Sequence, residues 1–412
     1  MALPARTRVA AHAGSLTAAL SRRLGRGDGT VIGGRVSLIV DPGALARLGA
    51  GHRVSLVSGT NGKTTTTRLL AAALGTAGPV VVNPQGSNLP PGLVAGLATA
   101  APGAAAALEV DEAWLGAAAD ALAPATITLL NLSRDQLDRT AEVRRLADRW
   151  RAVAARATAA VVANADDPLV AWAAGAAADV TWVAAGQPWT DDAAGCPACG
   201  GAITFPAGGW RCGDCDFARP VPAFRLDGSS MVGHDGEPHA IALSLPGRAN
   251  RSNAVMAAAT AFRLGVALDA ALAAMAGTVA VDGRYRRVPV GGSDARLLLA
   301  KNPAGWLEVF DMLDPAPGPV VVVINARIAD GRDPSWLWDV PFERLAGRPV
   351  AASGERSRDL AVRLHYAGVE HRRIPDPVDA IGALGPGRVD VAANYTALRD
   401  LDARLRRPPA RG

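Results

Sequence analysis

Val57-Ser-Gly-Thr-Asn-Gly-Lys-Thr-Thr-Thr-Thr67 joins an apolar run, residues 53–57, to a stretch of helical pattern, residues 64–74. A strand, a Gly-rich turn and a helix in that order make a phosphate loop. The turn's backbone N–H groups and the helix N-terminus face anionic oxygens, a Lys reaches the outer phosphates, and a Thr hydroxyl can ligate Mg²⁺. Of 43 Lys and Arg residues only Lys63 and Lys301 are lysine. A lysine kept in so Arg-rich a chain marks a place for a compact point charge, where a planar guanidinium fits poorly. The loop therefore predicts nucleoside triphosphate binding by Gly59, Thr60, Asn61, Gly62, Lys63, Thr64 and Thr65, with Lys63 also catalytic. The spacing departs from the usual phosphate loop, whose first Gly would fall at Val57. A Gly-rich helix cap without a ligand is the plainer alternative; strand, Lys and Thr together weigh against it.

The chain has 412 residues, 49% of them hydrophobic, enough for two or three domains with cores of their own. Its net charge of +5 suits an anionic substrate or membrane surface. Without a basic tract it argues little for nucleic acid. No apolar run reaches the roughly 18 residues of a spanning helix. Residues 1–27 carry five Arg and no acid, the profile of a transit peptide. The segment runs on through residues 21–35 without a small-residue cleavage site, so an Arg-rich surface helix is expected instead.

Short apolar runs alternate with helical patterns from residue 54 to about 185. Residues 53–57, 105–110, 126–132, 159–163 and 180–184 read as buried strands, and 64–74 and 142–155 as helices. That alternation implies a mostly parallel sheet covered on both faces. Helical periodicity returns at 253–264. A second α/β unit begins near Val288, with strands at 296–299, 319–324, 349–352 and 389–392 and helices at 305–313, 357–367 and 395–406.

Residues 187–222 break the pattern and hold all four cysteines. Cys196-x₂-Cys199-x₁₂-Cys212-x₂-Cys215 is two knuckles around a Gly-rich hairpin, a spacing that lets four thiolates surround one structural Zn²⁺. Thiols used this way indicate a reducing compartment. The ribbon has few basic or aromatic side chains, so a structural role or partner contact is expected ahead of nucleic-acid binding.

Gly-Thr-Asn-Gly-Lys-Thr-Thr resembles the loop of the Mur ligases, which form amide bonds through an acyl phosphate. Further matches follow in order. Leu108-Glu-Val-Asp-Glu112 is similar to the segment that brings a Mg²⁺-binding Glu, here Glu109. Asn131-Leu-Ser-Arg-Asp-Gln-Leu-Asp138 resembles the family's Asn-x-x-x-Asp-His-Leu-Asp. Asn164-Ala-Asp-Asp-Pro168 and Leu245-Pro-Gly-Arg-Ala-Asn-Arg-Ser-Asn253 resemble its nucleotide-side segments, which implies Asn250 and Asn253 near the adenine. Asp282-Gly-Arg-Tyr-Arg286 resembles the segment whose Arg, here Arg284, meets the nucleotide. Two positions depart from the pattern: Gln136 replaces a metal-binding His, and residues 143–151 lack the Lys that many members carbamylate. Only about 58 residues precede the loop, so the family's large N-terminal substrate domain is not expected.

Ordinary Mur ligases lack a cysteine ribbon. A Mur-like core with this insertion and a C-terminal α/β unit resembles the MurT subfamily, the synthetase subunits of lipid II isoglutaminyl synthase. The implied fold is α/β: a Mur ligase-like ATP-binding domain over residues 53–287 with a ribbon inserted at 190–222, after an N-terminal segment 1–52 and before a Rossmann-like domain 288–412. The resemblance implies ATP, Mg²⁺ and structural Zn²⁺. It also implies amidation of the D-Glu α-carboxyl of the lipid II stem peptide with ammonia from a GatD-like glutaminase partner in a heterodimer. The expected place is the cytoplasm, at the inner membrane face, with peripheral contact through the substrate. Amino-acid addition, as in folylpolyglutamate synthase, and a nucleotide-binding scaffold are the rival readings.

Lys301, at a strand-to-helix turn, is expected to meet the acyl phosphate or nucleotide phosphates. Asn325-Ala-Arg-Ile-Ala-Asp-Gly-Arg-Asp-Pro-Ser-Trp-Leu-Trp-Asp339 reads from its residues either as a site after a strand or as a turn with Asx caps and two core tryptophans. The MurT resemblance implies that an Asp here completes the partner's Cys-His pair: Asp333, with Asp330 and Asp339 as alternates. All four cysteines are assigned to zinc, and none of the six histidines has a nucleophile-like context. A glutaminase half must therefore be another polypeptide.

Overall fold

The computed structural model describes residues 3–25, 27–134, 143–278, 285–313 and 315–406. These form two compact units, the first holding the elements up to Ala276 and the second those from Tyr285. Gln136, Asp282 and Arg284 lie outside the described residues.

The first unit opens with three helices, α1 (Ala5–Arg23), α2 (Thr30–Val40) and α3 (Ala44–Gly49). Its sheet begins with β1 (Arg53–Ser58), followed through the phosphate loop by α4 (Lys63–Leu74). Then come β2 (Val80–Val82), β3 (Ala105–Glu109), β4 (Thr126–Leu129), β5 (Ala160–Asn164) and β6 (Val180–Ala184). The cysteine ribbon contributes β7 (Ile203–Thr204) and β8 (Arg211–Cys212); β9 (Phe224–Asp227), β10 (Ser230–Val232) and β11 (Pro238–Ala240) complete the set. The large sheet runs β11-β10-β9-β6-β5-β4-β1-β3-β2. From β2 to β9 every pairing is parallel.

Parallel strands are buried on both faces, which explains their unbroken apolar runs. Leu56 and Leu108, register partners on β1 and β3, pack on one face with Ile127 and Leu129. Val57 and Ala107 pack on the other, against Leu69 and Leu70 of α4. The expected strand 126–132 stops at Leu129. Leu130 donates to Ser58 O at 2.9 Å, and Asn131 turns away to the phosphate loop. The helix expected at 253–264 begins earlier, spanning Arg248–Arg263.

The second unit is a six-stranded sheet of β12 (Tyr285–Val290), β13 (Ser293–Leu299), β14 (Val320–Val323), β15 (Val350–Ser353), β16 (His371–Arg373) and β17 (Gly387–Ala393), ordered β12-β13-β17-β14-β15-β16. Only the β12–β13 edge is antiparallel. Arg296 and Asp390, register partners on β13 and β17, form a buried two-armed ion pair at 2.6 and 2.7 Å. Removing Asp390 would leave the buried Arg296 guanidinium without its counter-charge, a cost of about 3–5 kcal/mol.

Candidate active site

In the first sheet β1 lies between β3 and β4, although β2 and β3 follow it in sequence. Strand order reverses there, and the loops after β1, β3 and β4 meet at one edge, where open α/β sheets place ligands. Gly59 and Gly62 both have positive φ, 154° and 85°. A Cβ at Gly62 would lie 2.4 Å from Asn253 Oδ1, and one at Gly59 2.7 Å from Leu130 Cβ. The loop is therefore threaded too closely for side chains at either position. Asn131 braces it: Thr60 N–H donates to Asn131 O at 2.9 Å, Asn61 N–H to Asn131 Oδ1 at 2.9 Å, and Asn131 Nδ2 to Asn61 O at 3.0 Å.

Lys63 opens α4 and is only 8% exposed. Its ammonium donates to Gly59 O at 2.5 Å and Thr60 O at 3.2 Å, and pairs with Glu112 Oε2 at 3.1 Å. Glu109, the last residue of β3, is buried, and its backbone exchanges two 2.8 Å bonds with the Asn83 side chain. Asn88 Nδ2 donates to Glu109 Oε1 at 3.4 Å. A Cβ at Gly86 would lie 3.3 Å from both Thr64 Oγ1 and Glu109 Oε2. A hydroxyl and a carboxylate oxygen thus face one spot beside the phosphate loop, a hard-oxygen donor pair of the kind Mg²⁺ takes. Thr65 is buried in α4; Asn250 and Asn253 share the helix Arg248–Arg263, one turn apart.

Asp167, in the segment Asn164–Pro168, caps the helix Pro168–Ala174. Four donors converge on its carboxyl: Leu132 N, Leu169 N, Val170 N and Gln187 Nε2. Burial nonetheless pushes its pKa up to about 6 against those hydrogen bonds. Through Leu132 it fixes the chain that leaves Asn131.

The four cysteine sulfurs lie within 4.8 Å of one another, with Cys196–Cys215 at 3.8 Å and Cys199–Cys212 at 3.5 Å. Backbone N–H groups of Ala198, Gly201 and Asp214 donate to Cys196, Cys199 and Cys212. Four sulfurs so clustered and so bonded fit a tetrahedral Zn²⁺. The Asp214 N–H draws the Cys212 thiol down to about 7, whereas the neighbouring thiols hold Cys215 up at about 12 despite a bond from Phe217. Of the ribbon's aromatics, Trp210 and Phe217 pack inward, whereas Phe205 is exposed. Trp210 is 3% exposed, donates to Ala165 O at 2.9 Å and packs on Phe217 at 4.9 Å.

In the second unit Lys301 is exposed between β13 and the helix Pro303–Met312, its ammonium 5.8 Å from the Tyr395 ring. The three acids of the 325–339 stretch separate by environment. Asp330 is buried and engaged: its carboxylate accepts from the N–H of Thr396 at 2.8 Å, from the Thr396 hydroxyl, and from Arg327 N–H at 3.3 Å. Asp333 is exposed and makes an Asx turn, accepting from Ser335 N–H at 2.9 Å. Asp339 is half-buried. Trp336 joins the core with Trp306 and Phe342, while Trp338 is 56% exposed. The stretch is thus a capped turn with one core tryptophan, and it leaves Asp333 open.

Sequence reasoning passed over Glu112, although it stands in the segment that supplied Glu109, and Asn131, the first residue of another quoted segment. Asn83, Gly86 and Asn88 carried no sequence signal, because a turn's approach to a distant strand end has no local period.

The model of the Mur ligase middle domain matches residues 57–193, and that of the MurT ligase C-terminal domain residues 299–398. The chain is 30% identical to the MurT subunit of lipid II isoglutaminyl synthase (glutamine-hydrolyzing) of Streptococcus pneumoniae, covering 86% of this chain and 85% of that one. It is 26% identical to the Staphylococcus aureus subunit, covering 88% of each. A pseudomurein peptide ligase type C from Methanothermus fervidus shares the fold, with a TM-score of 0.67 at 18% identity over 86% of this chain and 79% of that one. Sequence likeness over nearly the whole length, joined to the phosphate loop and the second α/β unit, makes this chain a ligase subunit that belongs to the MurT family.

Proposed function

We propose that this chain is the synthetase subunit that amidates the α-carboxyl of D-Glu in the lipid II stem peptide, giving D-isoglutamine during peptidoglycan synthesis. The observation that carries this reading is the shared spot faced by Thr64 Oγ1 and Glu109 Oε2, beside the enclosed Lys63. In this reading an oxygen of the substrate carboxylate attacks the γ-phosphorus of ATP, ADP leaves, and an acyl phosphate forms. Ammonia then attacks the carbonyl carbon, phosphate departs with one carboxylate oxygen, and the nitrogen loses a proton. Mg²⁺, held by Thr64 and Glu109, would neutralise phosphate charge. Lys63 exchanges Glu112 for the outer phosphates, and the Asn131 brace keeps the loop's backbone in place. Asn250, Asn253 and Arg284 serve the nucleotide, and Lys301 meets the acyl or nucleotide phosphates.

Ammonia comes from a GatD-like glutaminase subunit in a heterodimer. Asp333 is assigned to the partner's Cys-His pair: it is exposed, whereas Asp330 is committed to Thr396. Zn²⁺ on the four cysteines holds the ribbon together, and the inward packing of Trp210 supports a structural role. The reaction belongs at the cytoplasmic membrane face, where its lipid-linked substrate is made.

The test is lipid II with ATP and ammonium, given to the purified chain and to Lys63→Ala. The reading expects ATP-dependent product lighter by the difference between OH and NH₂, absent in the variant. A product heavier by an amino-acid residue would instead identify an amino-acid-adding ligase.

A further inference from the structure

The α1–α2 hairpin is built with its small residues inward and its large apolar residues outward. A Cβ at Gly14 would lie 2.1 Å from Ser37 Oγ, and one at Gly33 2.6 Å from Gly14 O. Ser37 Oγ also donates to Ala10 O at 3.0 Å. The two helices therefore meet backbone to backbone. Val9, Leu16 and Leu20 of α1 fall within about 40° of one another at 3.6 residues per turn, on the side away from Thr7, Ala10 and Gly14. Leu16 is 73% exposed and Leu20 57%. On α2, Val31, Ile32 and Ile39 are exposed, Ile39 at 78%. Small residues between helices and large ones outside is the arrangement used in lipid, the reverse of a helix pair covering an aqueous-protein core.

Charge identifies the occupant. Both helices together carry Arg6, Arg8, Arg22, Arg23 and Arg35 and no acidic residue. All five arginines are exposed, and none pairs with a carboxylate among the described residues. A protein partner would have to supply the missing acids as well as an apolar groove. An anionic bilayer offers both at once, a negative surface and an apolar layer just beneath it. No helix among the described residues is long and apolar enough to cross a membrane, so a lipid contact of this hairpin would be interfacial. We propose that the outer face of the α1–α2 hairpin, through Leu16, Leu20 and Ile39 with their flanking arginines, docks this chain on an anionic lipid surface.

The proposal concerns lipid binding alone and is tested without lipid II, so it stands or falls apart from the amidation reading. The full chain is sedimented with vesicles of phosphatidylglycerol and, separately, of phosphatidylcholine. Wild type should partition into the anionic vesicles and about tenfold less into the neutral ones. Leu16→Ser/Leu20→Ser/Ile39→Ser, and separately Arg6→Gln/Arg23→Gln/Arg35→Gln, which lie nearest the apolar stripes on the helix surfaces, should each bind the anionic vesicles at least about tenfold more weakly, with melting temperature unchanged because these side chains are exposed. Absence of wild-type binding to phosphatidylglycerol would overturn the proposal, as would unchanged binding of the serine variant. A wild-type dimer in solution that the serine variant converts to monomer would overturn it too, by naming a second copy as the occupant.

Discussion

Replacing Glu112 by Gln asks whether Lys63 is a phosphate ligand held against a carboxylate until nucleotide arrives. The two charges are 3.1 Å apart, and their side chains are only 9% and 11% exposed. At an effective dielectric constant of about 20, their attraction amounts to roughly 5 kcal/mol before desolvation is subtracted. Deleting one partner of such a pair costs about 3–5 kcal/mol. Gln keeps an acceptor oxygen, and Lys63 keeps the carbonyls of Gly59 and Thr60, which reduces the loss to about 2–3 kcal/mol. Nucleotide phosphates would restore a full counter-charge to Lys63, so most of that penalty disappears in the complex. The linkage runs one way: the variant should be less stable without nucleotide and should bind it more tightly. Isothermal titration with a non-hydrolysable ATP analogue and Mg²⁺ should show affinity about tenfold to a hundredfold higher in Glu112→Gln than in wild type. Equal or weaker affinity would refute the exchange of partners and assign Glu112 to the nucleotide site itself.

The two aspartates should separate by assay. Asp333→Asn should leave ATP binding and folding intact yet impair glutamine hydrolysis by the complex, whereas Asp330→Asn should lower stability by about 1–3 kcal/mol through its lost bonds to Thr396. Cys212→Ser should abolish zinc binding, read by metal analysis of the purified chain, and lower the melting temperature; full zinc content would rule out the four-sulfur site. Asp167 has a folded pKa raised from 3.8 to about 6, so its contribution is fully present below pH 3.8 and is lost as pH rises through about 6. The stability difference between wild type and Asp167→Asn should therefore shrink by about 2 kcal/mol from pH 4 to pH 7, measured by denaturant unfolding.

Much of the first unit was legible because a parallel strand buried on both faces writes itself as an apolar run. The central strands and α4 stand close to where their patterns placed them. The small edge strands were not legible: β10 and β11 are three residues each, too short to show a period. Helix α2 hid for a different reason. Its buried positions are Gly33, Gly34 and Ser37 and its exposed ones are Val31, Ile32 and Ile39, so its polarity runs opposite to the usual surface helix. Within the site, Lys63, Thr64 and Glu109 came from local motifs. Asn131 and Glu112 act on the loop from 70 and 49 residues away, and only the sheet's strand order brings them to it. The 325–339 stretch had two readings in sequence, and both contain part of the outcome: Trp336 is core, and Asp333 sits open on an Asx turn.

Activation of the substrate carboxylate by ATP, ahead of attack by ammonia, would carry one carboxylate oxygen onto phosphorus. It is tested most directly with lipid II carrying ¹⁸O in the D-Glu α-carboxyl, turned over with ATP and ammonium. One ¹⁸O should appear in the inorganic phosphate released for each amide formed. Amide formed with unlabelled phosphate would contradict it, because the carboxylate oxygen would then never have been bonded to phosphorus.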